Sequence, residues 1–354
     1  MIDGETILLG VETSCDETAC ALVADGRRVL SNAVATQIDL HARFGGVVPE
    51  IASRAHIEAI NTVIDKALSD AAVRPEQVSA VAVTREPGLI GSLLVGVMAA
   101  KTLAWTWRVP LVGVNHVYAH ACAAALDAEP IEYPAAALIC SGGHTALYRC
   151  GGPLDLELLG TTIDDAAGEA FDKVASILRL GYPGGPVIDR LSRDANAQAV
   201  HFPRTLLAGQ SLDFSFSGLK TAVLYHVNGV PGTVRRRSPA PAGKTGIENF
   251  SEREIADIAA SFQQAVVDVL TIKLRRAARK IGAKTLVLGG GVAANSALRA
   301  SVAALAEKLG CTLRLPPLRF CLDNGAMVAG LAYHSLRAGQ VSDLALEARA
   351  TVRR

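Results

Sequence analysis

The chain has 354 residues, enough for two packed domains with sizeable cores, so a miniature disulfide-stapled scaffold is excluded. Half of the residues are apolar, 19% are charged and 5% are aromatic, which rules out a disordered chain and predicts cores of Ala, Val, Leu and Ile. Lys and Arg total 35 against 34 acids, a net charge of +1, so nothing marks a histone-like or polyanion-coating protein and any nucleic-acid site must be a local patch.

Seven scattered cysteines with no C-x-x-C spacing argue against a disulfide framework or a zinc ribbon and fit a reducing cytosol. Asp3 and Glu5 precede the first strand-like run, unlike a signal peptide, and Lys101 interrupts the most apolar stretch, Leu93 to Trp107. A soluble, cytoplasmic protein with no membrane partner is the expectation.

In chain order, Ile7 to Val11 reads as a strand ending in the polar turn Glu12-Thr13-Ser14-Cys15-Asp16-Glu17-Thr18, followed by a second strand and a hairpin at Asp25-Gly26. Val78 to Val83 leads through Pro87-Gly88-Leu89 into a helix. Ala135 to Cys140 repeats the first plan around Ser141-Gly142-Gly143-His144-Thr145, and Thr285 to Leu288 repeats the second through Gly289-Gly290-Gly291. Two copies of one supersecondary plan follow, the second enlarged by a helical insertion over about 163–255. Two such units facing each other would place polar turns on opposite walls of a nucleotide cleft.

His116 and His120 are spaced four apart, which on a helix stacks both imidazoles on one face. A zincin would carry Glu directly after the first histidine, where this chain has Val117, so that route to peptide hydrolysis is disfavoured. Asp323 offers a third, anionic ligand, although it would also serve as a helix N-cap. Two imidazoles and a carboxylate leave positions open and suit iron or zinc.

Gly289 to Ala294 matches G-x-G-x-x-A, but no acid ends the following strand at Thr312 to Leu315, so a Rossmann site lacks its ribose partner. Gly243-Lys244-Thr245 lacks the first glycine and the leading strand of a P-loop. The acid-rich run Asp164 to Lys173, taken alone, reads as ordinary dipole complementation at a helix start. Local basic clusters at Arg235-Arg236-Arg237 and on a helix at Lys273, Arg275, Arg276, Arg279 and Lys280 are candidates for phosphate contact, against the alternative of ordinary solvated charge.

Taken together, Gly10 to Thr18, Gly45 to Glu50, Asn115 to His120, Ser141 to Thr145, Asp164 to Lys173, Phe214 to Lys220, the glycine turn to Asn295 and Asp323-Asn324-Gly325 resemble the universal tRNA N6-adenosine threonylcarbamoyltransferase family, once labelled sialoglycoproteases. The resemblance implies an α/β fold of two ribonuclease-H-like lobes of the actin, sugar-kinase and heat-shock-chaperone type. The lobes are expected at 1–112, joined by the C-terminal helix about 325–354, and at 113–324. It further implies transfer of a threonylcarbamoyl group from threonylcarbamoyl-AMP to the N6 amine of adenosine 37 in tRNAs reading ANN codons, releasing AMP.

By the same resemblance His116, His120 and Asp323 fall on metal ligands for one divalent ion, iron(II) ahead of zinc(II). Ile139, Cys140, Ser141, Gly142, Gly143, Asp172, Gly185, Asp189 and Asn295 fall on adenylate-binding positions, and Glu12, Asp16 and Glu17 lie near the reacting centre. A smaller paralogous protein and a P-loop ATPase are the implied partners beside tRNA. Glu86 departs from the glycine usual before Pro87, which puts any close backbone approach to substrate there in doubt. A metal-dependent O-carbamoyltransferase of the same fold and a non-catalytic paralogue are the competing readings.

Overall fold

The computed structural model describes residues 4–229 and 245–351. Arg235-Arg236-Arg237 and Gly243-Lys244 lie outside them. The chain forms two compact units, Met1–Glu132 with Cys150–Leu156 and Arg314–Arg354, and Tyr133–Arg149 with Glu157–Leu313.

The first unit begins with β1 (Ile7–Glu12), β2 (Glu17–Ala24) and β3 (Arg28–Thr36). After α1 (Ile38–Ala42) and α2 (Pro49–Ala71) come β4 (Ala80–Glu86), α3 (Ile90–Trp107), β5 (Leu111–Asn115) and α4 (His116–Cys122). The sheet order is β3-β2-β1-β4-β5, with β1 antiparallel to β2 and parallel to β4. Both faces are covered, so β1 is apolar at consecutive positions, and the period of two sorts its side chains between two cores. Ile7, Leu9 and Val11 pack with Ile60, Val63 and Val97 of α2 and α3, while Leu8 packs into the opposite cluster.

The second unit's sheet and helices begin with β6 (Ala135–Cys140), β7 (Thr145–Gly152) and β8 (Asp155–Thr161), of which only Cys150–Leu156 group with the first unit, followed by α5 (Ala167–Ile177), α6 (Gly184–Ser192) and α7 (Ser217–Asn228). Then follow α8 (Glu252–Ile281), β9 (Thr285–Gly289), α9 (Ser296–Leu309) and β10 (Thr312–Arg314). Its sheet order, β10-β9-β6-β7-β8, repeats the first sheet's plan, and β6 is parallel to β9 as β1 is to β4. The duplication read from the two polar turns is therefore a duplication of topology, as expected of two ribonuclease-H-like lobes.

Ser251 starts α8 with a capping box to Glu254, and Gly282, at φ +62°, ends it. Among the described residues α3 and α8 are long and apolar enough to cross a bilayer by length and composition; the apolar stretch of α8 is 61% buried, as a core helix requires. The chain then returns to the first unit as α10 (Gly325–Arg337), whose buried face joins the cluster around Leu8.

The compact units differ from the expected lobes. β5 pairs in parallel with β4, from Val81 opposite Leu111 to Glu86 opposite Asn115, so β5 and α4 belong to the first unit rather than to a lobe starting at 113. His116, His120 and Asp323 consequently share one unit. The approach of α10 to β1 is backbone on backbone: a Cβ at Gly10 would lie 2.3 Å from Gly325 O, and one at Gly325 would lie 2.5 Å from Ala21 N.

Candidate active site

Asn115 ends β5 and caps α4, its Oδ1 accepting from Val117 N–H at 2.9 Å and Tyr118 N–H at 3.2 Å. The cap starts the helix at His116 and puts His120 one turn on; the two rings meet edge-on with centroids 4.6 Å apart. Asp323 Oδ1 stands 3.6 Å from His116 Nε2 and 3.2 Å from His120 Nε2. One ligand atom from each of the three residues falls within 4.8 Å of the others.

Asp323 does not cap α10. Asn324 takes that role, accepting from Met327 N–H at 2.9 Å and donating to Leu322 O at 2.7 Å, so the capping alternative for Asp323 is corrected.

His120 is 1% exposed, and neither of its ring nitrogens has a hydrogen-bond partner. Its 3.2 Å approach to Asp323 thus lacks hydrogen-bonding geometry. A buried imidazole without partners is costly, and a cation in the triad would satisfy its Nε2, the nitrogen turned to Asp323. The donor set of two imidazoles and one carboxylate therefore fits a metal with open positions.

His116 Nδ1 faces Glu12 Oε2 at 3.0 Å and Ser14 Oγ at 3.1 Å. A proton on Nδ1 held by a carboxylate leaves the Nε2 lone pair directed at the triad. Burial works against charge on this imidazole, but the carboxylates of Asp323 and Glu12 outweigh it and raise it to about 9. Fully buried Glu12 is itself saturated, since Oε1 accepts from Ser14 N–H at 2.6 Å and Oε2 from Thr84 Oγ1–H at 2.6 Å. Burial, with the neighbouring Asp323 and Asp16 carboxylates, pushes Glu17 up to about 10. Burial likewise drives the Cys15 thiol upward, which argues against a thiolate nucleophile.

The predicted adenylate positions all lie in the second unit. Ile139 pairs with Gly289, so the turn Ser141-Gly142-Gly143 and the glycine turn Gly289 to Asn295 leave the C-terminal ends of adjacent parallel strands, where α/β sheets offer backbone N–H groups to ligands. Gly290, at φ +85°, has no alternative: a Cβ would sit 2.3 Å from Cys140 O. Gly142, Gly143 and Gly185 face open space.

Three further residues are engaged within the protein. Asp172 Oδ1 accepts from Gly184 N–H at 2.7 Å, and Asp189 Oδ1 accepts from Ser296 Oγ–H at 2.8 Å and Ser296 N–H at 3.2 Å. Asn295 caps α9 through Leu298 N–H at 2.9 Å and donates to Gln263 Oε1 at 2.6 Å. An idle Asn295 amide waiting for a ligand is not what the structure shows.

The runs 164–173 and 214–220 form one knot. Asp164 accepts from Phe216 N–H at 2.8 Å and Ser217 Oγ–H at 2.7 Å, while Asp165 pairs with Lys173 at 2.7 Å and Lys220 at 3.1 Å. In the predicted basic row, Lys273 is buried and donates to Leu206 O at 2.9 Å and Ser211 O at 3.0 Å, and Arg276 donates to Leu207 O. Those two cations hold a loop; of the row, Arg279 and Lys280 are exposed and Arg275 is half-buried.

Sequence reasoning missed Ser14 and Thr84, which set Glu12 and His116, and Gln263, which holds Asn295. Ser14 was within reach, since it lies in the polar turn after β1; Thr84 and Gln263 carried no local signal.

A sequence model described as tRNA N6-adenosine threonylcarbamoyltransferase matches residues 28–330. The chain belongs to this family. It is 52% identical over 338 residues to the tRNA N6-adenosine threonylcarbamoyltransferase of Anaeromyxobacter dehalogenans, covering 95% of this chain and 96% of that one. The relatives of the same name from Trichlorobacter lovleyi and Clostridioides difficile are 50% and 45% identical, each over 98% and 97% of this chain respectively and 96% and 97% of their own. Among solved structures the chain is similar to HypF from T. kodakarensis, with a TM-score of 0.58 at 14% identity, over 97% of this chain and 49% of that one. It is also similar to component A of the (R)-2-hydroxyglutaryl-CoA dehydratase of Acidaminococcus fermentans, with a TM-score of 0.52 at 15% identity, over 94% and 99%. Those two likenesses concern the fold. Membership of the family makes the chain a transferase that modifies tRNA.

Proposed function

We propose that the chain transfers a threonylcarbamoyl group from threonylcarbamoyl-AMP to the N6 amine of adenosine 37 in tRNAs reading ANN codons, releasing AMP. The observation that carries the reading is the triad His116, His120 and Asp323, with both nitrogens of buried His120 lacking partners, in a chain of this family. A divalent cation held there would supply an electrophilic centre for a carbonyl or phosphoryl oxygen. The donor set suits iron(II) or zinc(II), and the family resemblance puts iron(II) first.

The chain's own residues divide the remaining work. Glu12 and Ser14 orient His116 through Nδ1. Burial beside the Asp323 and Asp16 carboxylates favours the protonated form of Glu17 and suits it to donate a hydrogen bond. Asp16, half-exposed where Glu12 and Glu17 are buried, is the carboxylate of this turn best placed to take the amine proton. In the second unit, the N–H groups of Gly142 and Gly143 and the side-chain-free surface of the glycine turn suit an adenylate, with Ser141, whose own N–H closes the turn on His144 O at 2.8 Å, and Ile139, Cys140, Asp172, Gly185, Asp189 and Asn295 shaping the turns. A smaller paralogous protein and a P-loop ATPase are the proposed partners, and the cytoplasm the proposed location.

The test is incubation with threonine, bicarbonate, ATP, an adenylate-forming enzyme, the partner proteins and unmodified tRNA, followed by nucleoside mass analysis. The threonylcarbamoyladenosine mass in ANN-reading tRNAs is the expected result. Its absence with wild-type protein while a close relative succeeds under the same conditions overturns the reading.

A further inference from the structure

After α10 the chain runs back along the first sheet as an irregular strap, beyond residue 330 where the family match ends. Ser342 N–H donates to Leu111 O at 2.8 Å, and Ser342 Oγ accepts from Gly113 N–H at 3.2 Å. These bonds cover the open edge of β5, whose backbone groups would otherwise lack partners. Leu346 then enters the core, 7% exposed. A Cβ at Gly113 would fall 2.8 Å from Leu346 Cδ1, so the glycine on β5 makes room for the strap.

Edge protection needs nothing beyond that point, yet the strap continues to a different element. Arg349 N–H donates to Arg85 O at 2.8 Å, and Ala350 O accepts from Gly88 N–H at 3.2 Å, so the turn that closes β4 is gripped at both ends. The same turn presses on Ser14. Leu89 N–H donates to Ser14 O at 2.8 Å, and a Cβ at Gly88 would lie 2.6 Å from that oxygen. Ser14, 2% exposed, reaches His116 Nδ1 at 3.1 Å.

We propose that the C-terminal strap is a positioning element of the metal centre, acting through the turn Arg85 to Gly88 on Ser14 and so on His116. The proposal rests on the metal reading of the triad. Its consequence is that backbone bonds at the end of the chain set how well the triad holds a cation, although no strap residue touches it.

The test uses a chain ending at Glu347, which keeps Ser342 and Leu346 but removes both bonds to the turn, and Arg349→Pro in the full-length protein, which removes one N–H donor. Each is stripped of metal and titrated with Co(II) by calorimetry and visible absorption, with AMP affinity and thermal midpoint measured alongside. Co(II) affinity should fall about tenfold, as for loss of an outer-shell partner, while AMP affinity stays unchanged. Ser14→Ala should cost a similar factor, and shortening the chain in the Ser14→Ala background should add nothing. Full Co(II) affinity in the shortened chain, or an additive loss on top of Ser14→Ala, overturns the proposal; should the shortened chain fail to fold, full affinity in Arg349→Pro does so. A different failure, equal Co(II) binding by wild type and His120→Ala, removes the metal reading itself and the proposal with it.

Discussion

Glu12 stands out among the acids of the polar turn because all its contacts face inward, to Ser14, Thr84 and His116. It would act on a cation in the triad through the imidazole it holds. Glu12→Gln keeps the volume and removes the charge, so it should lower Co(II) affinity by about ten- to a hundredfold with the fold preserved, as a calorimetric titration beside a circular dichroism melt would show. Asn295 makes the opposite case, since its side chain is occupied by α9 and Gln263. Asn295→Ala should cost about 1 kcal/mol from the lost cap alone, with more from the stranded Gln263, whereas Asn295→Asp keeps an acceptor for Leu298 N–H and, with the Gln263 amide turned to donate its Nε2–H, should lose less. Urea unfolding of both variants checks the ordering; equal losses would show that the cap contributes nothing.

At the scale of elements, the glycine turn joins β9 to α9 only because Gly290 can take φ +85° against Cys140 O. Gly290→Ala should destabilise the second unit by at least about 2 kcal/mol and abolish AMP binding, both measurable by calorimetry, because strain and clash add at one atom. On α2, His56 Nε2–H donates to Cys15 O at 3.0 Å and Nδ1 accepts from Thr18 Oγ1–H at 2.8 Å, and burial lowers its affinity for a proton. The neutral form is thus favoured in the folded protein. Stability from this residue is complete above the unfolded value of about 6.5 and is lost as pH falls below it, toward the lowered folded value. The thermal midpoint should therefore drop more steeply on acidification in wild type than in His56→Gln, and identical slopes would remove His56 from the account.

For the molecule as a whole, each unit has its own sheet, and the two candidate ligand sites fall one to each. Scanning calorimetry should resolve more than one transition, with Co(II) raising one and AMP raising the other, and His120→Ala should erase only the Co(II) shift. A single transition moved equally by both ligands would contradict this. The duplicated plan was legible because a polar turn follows an apolar run at both Glu12 and Ser141. The triad was legible through the spacing of His116 and His120. The division at 112 was misplaced because parallel pairing of β5 with β4 leaves no local trace in sequence. Adjacent Asp323 and Asn324 are both good caps, so only the backbone could decide that Asn324 does the capping. The buried state of Lys273 was hidden for a similar reason: its partners are carbonyl oxygens, which every residue possesses.

The contact between Gly10 and Gly325 bears on how such a site can change over time. Because α10 meets β1 backbone to backbone at Gly10 and Gly325, just beyond Asp323, the depth at which that carboxylate is offered to the two histidines is set there by main-chain thickness. A methyl group at either position would act as a shim and lift the carboxylate away. Mutation can therefore adjust this centre only sideways, through Glu12, Ser14 and what leans on them, while the spacing between its ligands behaves as a machined dimension.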